Sequence, residues 1–330
     1  YDTPEKVDYG FALRQTALVA GLIGHLAETP QLHDELFPRV GIAEINGNAK
    51  FLRHGELFAD KPAPGTVLLG FQGPARFYAI VDHMGKFHLR GLADRKHTYH
   101  KVIFEGYRFD ESGNIIWAID KNQTGKTAYR TKMFRRHMES DIIMFACHGM
   151  TLFNLLEPRT FHNIHRGAII DGRRESDPQR YWFSRLDTWI SFYRNASNLT
   201  TVFLEAGTPL KLTLSDTPLR KKLILLNASK DNPQGSGYIV ENWPVIHRTE
   251  FKVARDMWML LTPRIDNLEK RGIFNERIRS LQQEGAKALK TAKAALNDRQ
   301  YGRFYEATAR SWALASRVYD DVEKTQKDVL

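Results

Sequence analysis

The chain has 330 residues, of which 42% are hydrophobic and 26% charged, with 23 Gly, 13 Pro and a single Cys. Such a composition can bury sizeable cores and excludes collagen, coiled-coil fibre and disorder, while a lone Cys147 excludes a disulfide framework and a Cys-rich zinc module. Forty-eight Lys and Arg against 38 Asp and Glu give a net charge of +10, gathered only at Lys121 to Arg136 and at Arg220-Lys221-Lys222. Alternating apolar neighbours there suit a solvated strand or loop face, so nucleic acid is the least supported partner. No run approaches the ~18–20 apolar residues of a membrane span. A start at Tyr1, without Met or signal sequence, predicts a piece of a longer protein, divided into two or three units.

From Val7, apolar residues Phe11, Leu13, Leu18, Leu22, Ile23 and Leu26 recur at helical spacing, with Asp8 as a cap and Thr29-Pro30 as a stop. Small residues Ala17, Ala20, Gly21 and Gly24 would let this helix approach a neighbour closely. From Ile42 the period becomes two. Ala49–Leu52, Thr66–Phe71, Phe77–Val81, Lys86–Leu89 and Lys101–Phe104 read as strands. Asp82-His83-Met84-Gly85 and Asp110–Asn114 read as hairpin turns that use Gly at positive φ. Regular turn signals between short strands predict an antiparallel β-sandwich.

A second β-rich region follows, with candidate strands at Ile142–Phe145, Tyr181–Phe183, Thr201–Leu204, Leu210–Leu214 and Leu223–Leu226; the polar stretch Gly167 to Arg180 reads as a long loop. Beyond Phe251 three apolar stripes predict a helical bundle, the first kinked or interrupted by Pro263. The expected fold is therefore α+β and multidomain: a terminal helix (1–40), a β-sandwich (41–138), a second β-rich domain (139–250) and a helical hairpin or bundle (251–330).

Two motifs carry a resemblance. Asp2-Thr3-Pro4-Glu5-Lys6-Val7-Asp8 ahead of an apolar helix resembles the end of the catalytic domain in di-zinc aminopeptidases related to glutamate carboxypeptidase. Their zinc-ligating His lies just upstream of this pattern, so the resemblance implies zinc in a parent protein and none in this chain. Pro64-Gly65-Thr66-Val67, Asp82-x-x-Gly85-x-Phe87, Gly91-Leu92 and Gly106-Tyr107 are similar to the carboxypeptidase regulatory-like domain, a transthyretin-like sandwich. Together they imply a bacterial, membrane-associated, extracytoplasmic protein whose bundle lies near the membrane. Membrane contact would run through segments outside this chain.

Candidate chemistry is sparse. His162-x-x-His165 and His97-x-x-His100 have metal-pair spacing, with His148 and Asp171 near the first, but neither pair sits in a helical pattern or carries the Glu of a His-Glu-x-x-His site. His162 and His165 are the only metal candidates, against a plainer reading as hydrogen-bonded loop histidines. Cys147-His148 suggests a nucleophile and base, yet neighbours on a strand point to opposite faces, which makes Cys147 a small buried apolar residue. Gly235-Ser236-Gly237 lacks the frame of a phosphate loop and reads as a turn. Asn122, Asn195, Asn198 and Asn227 head Asn-x-Ser/Thr triplets, which outside bacteria would mark exposed loops. Tyr181, Trp182, Phe183, Trp189, Phe192 and Tyr193 interleave with Arg180, Arg185 and Arg194. Trp182, Trp189 and Arg185 are thus candidates for stacking a glycan, against a core strand with an arginine fringe. No catalytic constellation emerges. The expected role is a non-catalytic accessory region that presents an upstream peptidase-like domain or binds a protein or glycan. The alternative is part of an active zinc aminopeptidase whose metal site lies upstream of Tyr1.

Overall fold

The computed structural model describes residues 8–28, 42–156, 158, 166–184, 199–215 and 223–329. Its architecture is α+β and multidomain, with an N-terminal helix, several β-sheets and C-terminal helices. The N-terminal helix, Tyr9–Glu28, starts where Asp8 Oδ1 accepts a hydrogen bond from the Phe11 N–H at 2.9 Å, satisfying one orphan donor of the first turn. Phe11, Leu13, Leu18, Leu22 and Ile23 along it are 52–76% exposed.

The first β unit is organised by one long strand, β1 (Ile42–Leu52). Its first half pairs antiparallel with β5 (Lys86–Ala93) and parallel with β9 (His137–Glu139). Its second half pairs antiparallel with β2 (Lys61–Pro62) and parallel with β10 (Ile142–Ala146). From β10 the sheet continues through β7 (Ile115–Ile119), β6 (Val102–Phe109) and β3 (Val67–Gln72) to β4 (Ala75–Ile80), and β8 (Arg130–Thr131) pairs with β6. Alternation along β1 sends Ala43, Ile45 and Ala49 inward, where they meet Leu68, Leu89, Phe104, Ile119 and Phe145. The Asp82 hairpin forms as its residues require. Asp82 Oδ1 accepts from the Met84 and Lys86 N–H groups, Gly85 takes φ +83, and Phe87 enters the core. Residue 138 does not end this sheet, because Ile142–Ala146 lies between β1 and β7. The unit therefore runs to Ala146.

The second β region has two small sheets. One orders β13 (Tyr181–Phe183), β14 (Thr200–Leu204), β11 (His148–Leu152) and β18 (Val245–Ile246). The other orders β12 (Arg166–Asp171), β15 (Pro209–Ser215) and β16 (Leu223–Leu225), with β17 (Tyr238–Ile239) also on β15. The stretch from Gly167 to Arg180 is not all loop. Its first part is strand, in register with β15 from Arg166↔Ser215 to Asp171↔Leu210, because pairing and burial of Ile169 outweigh the polar neighbours. The Gly235-Ser236-Gly237 turn is steric in origin. A Cβ on Gly235 would lie 2.1 Å from the Leu226 carbonyl oxygen.

Three helices close the fold, Thr249–Lys270, Glu276–Asn297 and Tyr301–Val329. They share one core with the second β region, in which Leu212, Leu225 and Tyr238 pack with Met257, Trp258, Trp312 and Tyr319. Asp256, fully buried, ties the first helix to β16 by accepting the Leu226 and Asn227 N–H groups at 2.8 Å each. Trp258 Nε1 donates to Ser311 Oγ (2.9 Å), which donates to the Gly285 carbonyl (2.8 Å), so one side chain joins all three helices. Pro263 does not interrupt the first helix, which continues to Lys270 between buried Leu261 and Ile265. Among the described residues no helix is long and apolar enough to cross a membrane.

Candidate functional site: a polar trough over β1

The outward face of β1 carries Glu44, Asn46, Asn48 and Lys50 in alternation. Register puts His88 of β5 on one side of Asn46 and Glu139 of β9 on the other, with Lys86 opposite Asn48 and His137 opposite Glu44. Two hollows lie over this grid. One, of about 730 Å³, is lined by Asn46, Asn48, Ile80, Lys86, Glu139 and Asp141 among others. The second, of about 590 Å³, is lined by Phe134, Arg135, His137 and Met138, and shares Asn46 and Glu139 with the first. They form one trough, and the shared pair is its floor.

The rim is pre-organised. Glu44 Oε2 lies 2.9 Å from His88 Nε2 and Glu44 Oε1 lies 2.6 Å from His137 Nδ1. Hydrogen bonds from His88 and then His137 hold the Glu44 carboxyl below the usual carboxylate range. Arg90 Nε, also facing His88 Nε2 at 3.2 Å, lies on the β5 side of a bulge where one extra residue and Gly91 at φ +83 interrupt the register. Such bulges re-aim side chains beside sites. Asn48 Nδ2 donates to Asp141 Oδ1 at 2.9 Å. Beneath, Gly47 permits close packing, since a Cβ there would fall 1.9 Å from the Ser140 carbonyl oxygen and 2.4 Å from the Phe87 ring.

Asn46 and Glu139 differ from this rim. Both are exposed, and neither side chain has a hydrogen bond or ion pair among the described residues. Phe134, 61% exposed, forms one wall with the Arg95 guanidinium 5.2 Å from its ring centroid. The trough offers amide, carboxylate and aromatic recognition groups, and among the described residues no three His, Cys, Asp or Glu are placed to hold a metal.

The candidates read from the sequence lie elsewhere. Trp182 is 3% exposed and belongs to the core of the first β unit, its ring 5.3 Å from Tyr129 at 86°. Its Nε1 donates to Tyr107 Oη at 3.2 Å, and that hydroxyl donates to Glu105 Oε2 at 2.9 Å. Trp182 is therefore a packing residue, and its ring is covered where a sugar would need it bare. Trp189, Arg185, His162 and His165 lie outside the described residues. Cys147 is buried, and burial pushes its thiol up, while His148 is exposed. His97 Nδ1 pairs with Asp94 Oδ1 at 2.6 Å. Asn122 Nδ2 donates to the Pro178 and Gln179 carbonyls, and Asn227 Nδ2 to that of Gly237, so both amides are occupied.

Trp182 marks the joint between the β units. Phe203 accompanies it into the first core, 5.3 Å from the Tyr107 ring. Arg180, 7% exposed, donates through Nη1 to the Arg53 carbonyl and Glu205 Oε1, at 3.1 Å each, and through Nη2 to the Glu56 carbonyl. Lys121 Nζ donates to Tyr181 Oη at 2.7 Å. Asp120 is fully buried in this joint. Burial raises its carboxyl to about 6, against bonds from the Asn122 and Gln123 N–H groups and the charge of Arg180.

No family model matches the chain, and neither does any curated protein. The likeness to zinc aminopeptidases therefore stands on its motif residues alone. Among solved structures, the Bacillus anthracis TIE protein aligns over 53% of this chain and 29% of its own, at 6% identity and a TM-score of 0.19. Two variants of the shaft pilin SpaA from Lactobacillus rhamnosus GG align over 54% and 55% of this chain and 89% of the pilin, at 7% and 6% identity and TM-scores of 0.20 and 0.21. This chain thus spans under a third of the TIE protein.

Proposed function

We propose that this chain is a non-catalytic accessory region of a bacterial, membrane-associated, zinc-peptidase-like protein, holding an upstream peptidase-like domain in place and binding a protein or glycan at the extracytoplasmic surface. The observation that carries this reading is the buried joint. Trp182 and Phe203 of one β unit are buried in the core of the other, Arg180 bridges them, and the second unit shares its core with the bundle. A scaffold needs this stiffness, because interfaces this buried restrict relative motion. The exposed apolar residues of the Tyr9–Glu28 helix are the surface this reading offers to the upstream domain. The trough over β1 is the surface it offers to a ligand.

Metal analysis of the purified chain beside its His162→Ala variant, with aminoacyl-anilide hydrolysis assayed in added zinc, tests the reading. No stoichiometric zinc and no turnover are expected. Zinc at one per chain that the substitution removes, accompanied by hydrolysis, would overturn it and place a hydrolytic site at His162 and His165.

A further inference from the structure

We propose that the trough over β5, β1 and β9 is a saccharide site, in which Asn46 and Glu139 bind neighbouring hydroxyls of an uncharged sugar ring whose C–H face lies on Phe134. The inference rests on the reading of the chain as a binding module and gives that module a ligand class.

Around the trough, Glu44 is occupied by His88 and His137, Asp82 by the N–H groups of its own hairpin, and Asn48 and Asp141 by each other. These bonds fix the rim. At the centre, Asn46 and Glu139 face each other across the β1–β9 pairing with no such partners among the described residues. An amide offers two donors and an acceptor, whereas a carboxylate only accepts. A hydroxyl both donates and accepts, so adjacent sugar hydroxyls can donate to Glu139 while accepting from Asn46. The bonds to Glu139 are charge-assisted and correspondingly strong.

Phe134 supplies the complementary element. Its exposed ring adjoins the same floor through the shared hollow, and Arg95 stacked on it restrains its orientation. A pyranose presents apolar C–H groups on its face and hydroxyls at its edge, matching an aromatic wall beside a polar floor. The lining charges disfavour other ligands. Asp82, Glu139 and Asp141 are interspersed with Lys86 and Arg135, so no single-sign field draws a polyanion or polycation. An apolar helix would find no apolar groove, because the floor is amide and carboxylate.

The test titrates the full chain with maltotetraose, cellotetraose and chitotetraose, with tetragalacturonate as the anionic counterpart, following amide shifts by NMR. At least one neutral tetrasaccharide should shift the β1 and β9 amides, and tetragalacturonate should not. Asn46→Ala, Glu139→Gln and Phe134→Ala should each weaken that binding by about tenfold or more, the scale of one lost charged hydrogen bond or its packing equivalent. All three positions are exposed, so circular dichroism should be unchanged. Phe274→Ala, on an exposed residue beyond the first bundle helix, should bind as the parent does. The proposal is overturned if no neutral tetrasaccharide shifts these amides, or if binding survives all three substitutions. It is equally overturned if an acetylated, amidated Gly-Ser hexapeptide shifts the same residues while the sugars do not. Such a loss would leave the scaffold reading standing, whereas zinc-dependent hydrolysis would remove that reading whatever the sugars do.

Discussion

The joint between the β units and the trough over β1 are built from similar residues put to opposite uses. At the joint, Trp182, Tyr107 and Glu105 form a buried hydrogen-bonded chain, and buried Arg180 bonds two carbonyls and a carboxylate. In the trough, Asn46, Glu139 and Phe134 stand exposed within a rim of mutually bonded Glu44, His88, His137, Asn48 and Asp141. The comparison teaches that aromatic and charged residues mark a binding surface only when their neighbours leave them unbonded. A buried polar group without its partner is costly, so at the joint most polar side chains are bonded, with Asp120 Oδ2 and Arg180 Nε as exceptions. An exposed one costs little and remains open to a ligand.

The contrast can be broken first at its anchor. Trp182→Ala should cost about 3–5 kcal/mol, the range for emptying a large aromatic site, and should also leave Tyr107 Oη without its indole donor. Denaturant unfolding checks this; a loss below about 1 kcal/mol would mean the units do not depend on the ring.

Asp120 sharpens the same side. Its carboxyl is raised by burial to about 6 in the folded chain, against a usual value of 3.8, and its Oδ2 has no hydrogen-bond partner. The folded state therefore holds the proton more tightly than the unfolded state. Stability from this group is complete below pH ~4, falls as pH rises through ~6 and is flat above, with a span of up to about 3 kcal/mol. Asp120→Asn keeps the oxygen that caps the following turn and removes the charge. Its Tm should lose that decline between pH 4 and 6, and an unchanged pH profile would show that another group is responsible.

The smallest effect belongs to the trough. Asn46→Ala should shift unfolding free energy by no more than about 0.5 kcal/mol, as expected of an exposed residue with no partner to lose. Chemical denaturation measures it, and a loss like that at Trp182 would make the trough a structural element after all.

Much of the fold was legible because its signals are local. Asp8 caps the first helix, its Oδ1 accepting from the Phe11 N–H. Asp82 and Gly85 close their hairpin within four residues, and the apolar stripes after Phe251 are the buried faces of the bundle. Each of these depends on hydrogen bonds or periodicity inside one short segment, which composition and spacing record directly.

What lay beyond the sequence depends on which strands meet. The segment Ile142–Phe145 reads as a strand of the second region, yet it pairs with β1 about ninety residues away in the chain. Trp182 carries the same aromatic-and-arginine pattern whether it stacks a ligand or fills a core, and only Tyr107 and Phe203 beside it settle which. Glu44-x-Asn46-x-Asn48 and His137-x-Glu139 each show a polar outward alternation, a signal that could have singled them out as solvated strand faces. Their meeting in one trough required the β1–β9 register. Register is set by non-local backbone bonds and the burial of the opposite face, and a one-residue slip would turn every one of these side chains inward. The sequence by itself determined the helices, the turns and the α+β character; the tertiary structure alone decided which aromatic is covered and which amide and carboxylate stand together free.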